Sequence, residues 1–235
     1  MLEYFIDPKR AARSSAYLFL VSVLFSAVSM LISICLFYEY SSVLICSLIT
    51  ILFTPFFIKL FESEEAKELF GKHENLLARH AGVIKIYSTF FLGVTTALFA
   101  LFICLPTMRS VVFAKQLAEI ERISKLATGA MLNPRLAGLI FANNTAVLLT
   151  TFLLSFLFGA GAALVLSWNA SIIAAYAGLY AMKLAEKGYA AHVAASIALP
   201  SVMLGIAMHG IPEILGYFFA GLAGGILSAC MAREK

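Results

Sequence analysis

Long runs without a charged residue alternate with short, densely charged segments, and this pattern predicts a chain threaded repeatedly through a bilayer. Ser14 to Tyr38 carries no charge, and after the single Glu39 neither does Tyr40 to Ile58. Each run is close to the roughly 20 residues that cross a hydrocarbon core. Glu39 with Ser41 and Ser42 reads as a tight turn, so the two runs form a helical hairpin. Lys9, Arg10 and Arg13 would suit a secretory signal. The apolar run is too long for one, and no small-x-small cleavage site precedes Glu39, so it is read as a permanent span.

Glu62 to His80 is a charged insert. In it Ala66, Leu69, Phe70, His73, Leu76, Leu77 and His80 recur at helical spacing, while Glu64, Glu65, Lys67, Glu68, Lys72, Glu74 and Arg79 mostly take the other faces. That predicts an amphipathic helix at the membrane surface or against the bundle, with Glu62 on the apolar stripe. Ile86 to Met108 is the third span. In Arg109 to Arg135, Leu117, Ile120, Ile123 and Leu126 mark a short amphipathic helix closed by Asn133-Pro134.

Leu136 to Met182 is uncharged over 47 residues. As one helix it would run about 70 Å, more than twice the hydrocarbon thickness. It therefore folds back, with Gly159-Ala160-Gly161 as the corner and spans near 139–158 and 163–182. Gly188 to Pro212 holds Pro200 near its middle, with His192 and His209. Proline removes a helical hydrogen bond, so this run reads as a kinked span or a re-entrant pair of half-helices. Ile214 to Ala232 is the last span. The expected fold is all-α, a polytopic membrane helix bundle of six spans plus a Pro-broken re-entrant element, or seven spans. Its parts are a hairpin (1–60), the charged helix (61–85), the third span (86–108), the surface insert (109–135) and a transmembrane core (136–235).

Composition agrees with the pattern. The chain is 62% hydrophobic and only 13% charged, about half the charged share of soluble domains, and its mean hydropathy is +0.94. A soluble globule, a nucleic-acid reader and a disordered tail are excluded, and the expected partner is the lipid of the plasma membrane. With a re-entrant element and residue 1 inside, ten Lys/Arg lie inside against seven outside; seven spans give eight against nine. The first arrangement fits the positive-inside rule better. Cys35, Cys46, Cys104 and Cys230 all sit in apolar runs without a CxxC pair, and read as small core hydrophobes.

A polar group inside a span is expensive and needs a reason. Asn143-Asn144, Asn169, His209 and Glu213 are such groups. They could coordinate a cation or water; equally, the amides could lock helices together by hydrogen bonds. In His209-Gly210-Ile211-Pro212-Glu213 the bland reading makes Pro212 the first residue of the last helix, with Glu213 at its positive dipole end. The sharper reading makes the same helix start, carboxylate and imidazole an ion or proton site. His73 and His80 lie roughly 10 Å apart along a helix, too far to share one metal easily. Glu62, Glu65, His73 and His80 join the candidate set behind the membrane residues. Gly221 and Gly225 form a GxxxG that supports close helix packing. HExxH, GxSxG, P-loop and dinucleotide motifs are absent from the sequence. An intramembrane metalloprotease is a remote alternative, since only His209 and Glu213 would serve it.

The second half resembles the stage II sporulation protein M family of integral membrane proteins. Phe141-Ala142-Asn143-Asn144, Asn169, the HG-x-x-E of His209, Gly210 and Glu213, and the Gly-rich stretch Gly221 to Gly225 carry the likeness over about 139–231. The segment with Glu62, Glu65, His73 and His80, followed by Tyr87-Ser88-Thr89-Phe90-Phe91-Leu92-Gly93, resembles the broader form found outside spore-formers, especially in archaea; this weaker likeness covers 60–106. Met208 stands where the family usually has proline. The resemblance implies no enzyme, and a membrane scaffold that recruits cell-wall hydrolases during engulfment. The residues themselves favour a small ion channel or transporter, a homo-oligomer with dimer first, needing no cofactor beyond a bound cation. A scaffold binding other proteins is the second reading.

Overall fold

The computed structural model of the protein describes residue 11 and residues 13–70, 79–128 and 134–233; the side chains of 66–70, 125–128, 134–137, 139, 140 and 209 lie outside that description. The described residues form eight helices and no strand. They are α1 Ser15–Phe37, α2 Ser41–Phe70, α3 Ala81–Cys104, α4 Arg109–Val112, α5 Ala114–Thr128, α6 Pro134–Phe158, α7 Gly161–Glu186 and α8 Ala191–Arg233. By length and composition six stretches can cross a bilayer; the first, Ser15–Glu65, holds both α1 and α2, and α8 holds two. The protein is a multi-pass, all-α membrane bundle.

Ser14 caps α1, its hydroxyl accepting from the Tyr17 N–H at 3.3 Å. A single 3-10 turn at Tyr38–Tyr40 then reverses the chain. The Phe25 and Phe53 rings, equally distant in sequence from Glu39, meet at 5.4 Å, which fixes α1 and α2 as antiparallel arms. Phe53 also meets Phe90 at 4.7 Å, and Tyr87 lies between Phe57 (5.4 Å) and Phe218 (5.0 Å). This aromatic column ties α2, α3 and α8 together. At the predicted corner Gly159 has φ +69°, a conformation that favours glycine, and Ala162 N–H donates to Ser155 Oγ across it.

Glycine contacts set the remaining registers. Gly178 of α7 faces the Phe102 ring of α3, Gly221 faces Ala162, Gly224 faces the Phe152 carbonyl, and Gly225 faces the Phe61 ring. Leu148 reaches Gly216. The α6–α8 and α2–α8 pairs are therefore parallel, and α7–α8 is antiparallel. One end of the bundle gathers Ser14, the ends of α2, α6 and α8, and the starts of α3 and α7. The other carries the 38–40 turn, α4, α5 and the 187–190 loop. The GxxxG glycines serve packing within one chain.

Three expectations change. The charged segment is no separate element at its start, because α2 runs unbroken from the second span to Phe70, carrying the charged residues from Glu62 to Glu68; the rest of the predicted helix, over 71–78, lies outside the described residues. The chain does not turn back at 188–212: α8 is a single helix through both Pro200 and Pro212. Each proline removes one donor and frees one carbonyl, a loss that packed membrane helices tolerate. Pro212 is consequently mid-helix, Gly210 makes no turn, and Glu213 sits at no helix start. The dipole and cap readings both fall with it. The third span is Ala81–Cys104, shifted from 86–108.

Candidate functional site

Glu213 lies on the α8 stripe it shares with Tyr217 and Gly221, at intervals of four. Its Oε1 accepts the Tyr217 hydroxyl proton. Tyr217 is buried and Glu213 half-buried. The registers place Glu213 near the middle of the bundle. Gly221 faces Ala162, so eight residues back along α8 corresponds to Asn169–Ala170 on the antiparallel α7, close to its midpoint. Gly216 faces Leu148 and Gly224 faces the Phe152 carbonyl, so Glu213 is level with Phe141–Thr145 on the parallel α6, a stretch that holds Asn143 and Asn144. Phe61 faces Gly225, which sets Glu213 level with Ile49 of α2.

Asn144, Asn169 and Glu213 thus lie within about one turn of the same height, on three neighbouring helices. Asn144 shares the α8-facing stripe of α6 with Leu148, Thr151 and Ser155. Asn169 shares the α8-facing stripe of α7 with Ala162, seven residues earlier. They are neighbours in height, and no hydrogen bond joins them among the described residues. Asn169 Nδ2 donates to Val165 O on its own helix at 2.8 Å. Asn144 is half-buried and Asn143 exposed. Among the described residues none of these three amides hydrogen-bonds to another helix. The His209 side chain and the whole of His73 lie outside the described residues.

A second polar cluster closes the end of the bundle. His80 Nδ1 and Glu64 Oε2 are 2.9 Å apart, and both side chains are buried. Arg233 Nη1 donates to Glu65 Oε1 at 3.2 Å, with Glu65 buried and Arg233 exposed. Glu62, expected on the apolar stripe, is exposed. The burial is inverted because Glu64 is partnered by His80, the residue just before α3, sixteen positions away and no neighbour by helical spacing, and Glu65 by Arg233 of α8, outside 62–80. Glu62, Glu65, Phe158, Gly225, Ser228 and Arg233 help line a half-open cleft of about 450 Å³ here. At the far side, Gln116 of α5 is 1% exposed; its Nε2 donates to Ser42 O (2.8 Å) and Ser171 Oγ (3.1 Å).

Tyr217, Gln116, Glu64 and Arg233 escaped the sequence reading. Only Tyr217 carried a local signal, its i+4 spacing from Glu213. Among the described residues no group of three or more His, Cys, Asp and Glu side chains is placed to hold a metal ion. No family model, no curated protein and no solved structure matches this chain.

Proposed function

We propose that the protein moves a proton or small cation across the plasma membrane, with Glu213 as the ionisable centre and Tyr217, Asn144 and Asn169 as its polar surroundings. The observation that carries this is one carboxylate at mid-height of an apolar bundle, hydrogen-bonded to a buried tyrosine and level with two amides. A charge at that depth costs a few kcal/mol or more, and a purely structural role has cheaper residues available. A proton exchanged at Glu213, or a cation bound there, turns that cost into a cycle. Neither step makes the protein an enzyme.

Purified protein in liposomes tests this. Glu213→Gln keeps the size and hydrogen-bonding capacity but removes the charge. Loss of flux with an unchanged fold supports the reading; wild-type flux defeats it. The scaffold reading is favoured by the close approach of α6 and α8 at Gly224, which leaves no room for a side chain against the Phe152 carbonyl. The resemblance to sporulation protein M points the same way. It predicts no flux in any variant, and capture of a protein partner by the wild type.

A further inference from the structure

The bundle leaves its own candidate centre half-covered. Of the windows 141–158 in α6 and 191–208 in α8, only 11% and 17% are buried, against 61% in α3 and 56% in α7. Lipid suits bare apolar residues such as Phe141, Leu204 and Met208. It does not suit what lies among them. Asn143 is exposed, Asn144 and Glu213 are half-exposed, and neither amide side chain has a hydrogen bond among the described residues. Amide N–H donors, and the carboxylate oxygen of Glu213 that Tyr217 does not engage, are left at the half-covered face at mid-height, where hydrocarbon offers them no partner.

We propose that a second copy of this chain packs against the exposed faces of α6 and of the first half of α8, and that its Asn143 completes the polar band around Glu213. Two copies inserted in the same direction are related by a twofold axis normal to the membrane. Such an axis preserves height. The exposed members of the band therefore meet the band of the other copy at the same height, where amide donors can find a carboxylate acceptor: the surface is self-complementary in hydrogen bonding. The approach can be close. Gly138, Ala142 and Ala146 are exposed at intervals of four along α6, and nothing lies within 4 Å of where a Gly138 side chain would begin. Small residues at that spacing let membrane helices come together.

The interface does not depend on transport, and two measurements separate the claims. Oxidative cross-linking in native membranes compares Asn143→Cys and Ala142→Cys with wild type, whose own cysteines set the background, and with Leu24→Cys on the exposed face of α1. The expected result is a cross-linked dimer from the α6 positions and only background from Leu24→Cys. Mass measurement of protein released from nanodiscs should give two copies. Asn143→Leu should weaken dimerisation by about threefold per interhelical hydrogen bond it removes, the ratio that an average polar pairing between membrane helices carries. Background cross-linking at both α6 positions together with a single-copy mass would overturn the proposal and assign the face to lipid. A dimer without flux would retain this interface and remove the transport reading. Flux from single-copy nanodiscs would do the reverse.

Discussion

Arg233, in the last turn of α8, reaches Glu65 of α2, 168 positions away in sequence, with Nη1 3.2 Å from Oε1. The carboxylate is buried while the guanidinium is 59% exposed. This asymmetry decides which partner matters. Removing Arg233 strands a desolvated carboxylate; removing the charge of Glu65 releases an arginine to water. Arg233→Ala should destabilise the protein by about 1–3 kcal/mol, and Glu65→Gln by less. Unfolding in detergent measures both, and the double variant should fall well short of the sum, as a shared contact demands.

The glycine contacts make a graded prediction. A methyl at Gly224 would strike the Phe152 backbone carbonyl, whereas one at Gly225 meets the Phe61 ring. Backbone cannot step aside, and a ring can shift at some cost in packing. Gly224→Ala should therefore lower the melting temperature more than Gly225→Ala. Gly82→Ala has nothing within 4 Å and should be neutral or stabilising by up to about 1 kcal/mol through helix propensity. Equal effects at 224 and 82 would refute the parallel register of α6 and α8.

Gln116 anchors the surface helix α5 to α2 and α7. Gln116→Leu keeps the bulk and removes the donors to Ser42 O and Ser171 Oγ, at a cost of about 1–3 kcal/mol because those acceptors stay buried. The visible consequence should be faster protease cleavage within 114–128, with the spans intact. On the same helix Arg122 holds the Glu119 carboxyl below its ordinary value, chiefly by hydrogen bonding. A lowered carboxyl stabilises the fold above its unfolded pKa and loses that contribution as pH falls through the folded value. Exposure of the pair keeps the effect under about 1 kcal/mol. Glu119→Gln should therefore lower stability at neutral pH by under about 1 kcal/mol and flatten the acidic limb, with wild type and variant converging below the folded pKa.

What was legible in the sequence was punctuation. Glu39 with two serines and Gly159-Ala160-Gly161 interrupt apolar runs, and both reversals lie there because polar and left-handed residues end helices locally. Helix continuity was less legible. Charges after Ile58 suggested a new element, yet a helix only changes its surroundings at a membrane boundary, not its hydrogen bonding. Pro200 and Pro212 suggested breaks, yet each removes one bond in 43 residues of α8, and neighbouring helices hold the rest. The polar band was legible as residue types but not as a place. Asn144, Asn169 and Glu213 become level only through contacts such as Gly216–Leu148 and Gly221–Ala162, which no local spacing contains.

The final prediction concerns sidedness, which follows from those registers. Six long helices, α1, α2, α3, α6, α7 and α8, alternate in direction. The start of α1, Glu65, His80, Gly159 and Arg233 then lie at one end, and Glu39, Ser110 and Lys187 at the other. The count along the sequence, ten Lys/Arg against seven with residue 1 inside, predicts under the positive-inside rule that the first end is cytoplasmic. Ser63, Ser110 and Lys187 are exposed, so cysteines placed there should be open to a membrane-impermeant maleimide. In sealed, right-side-out vesicles Ser110→Cys and Lys187→Cys should label at once, and Ser63→Cys only after the vesicles are opened. Inverted vesicles should show the opposite order. A crossing added within α8 would leave Ser63 and Ser110 on opposite sides but move Arg233 away from Ser63. A fourth variant, Ala232→Cys, covers that case. Labelling of Ala232→Cys together with Ser110→Cys would divide α8 into two crossings and break the Glu65–Arg233 contact on which the first prediction stands.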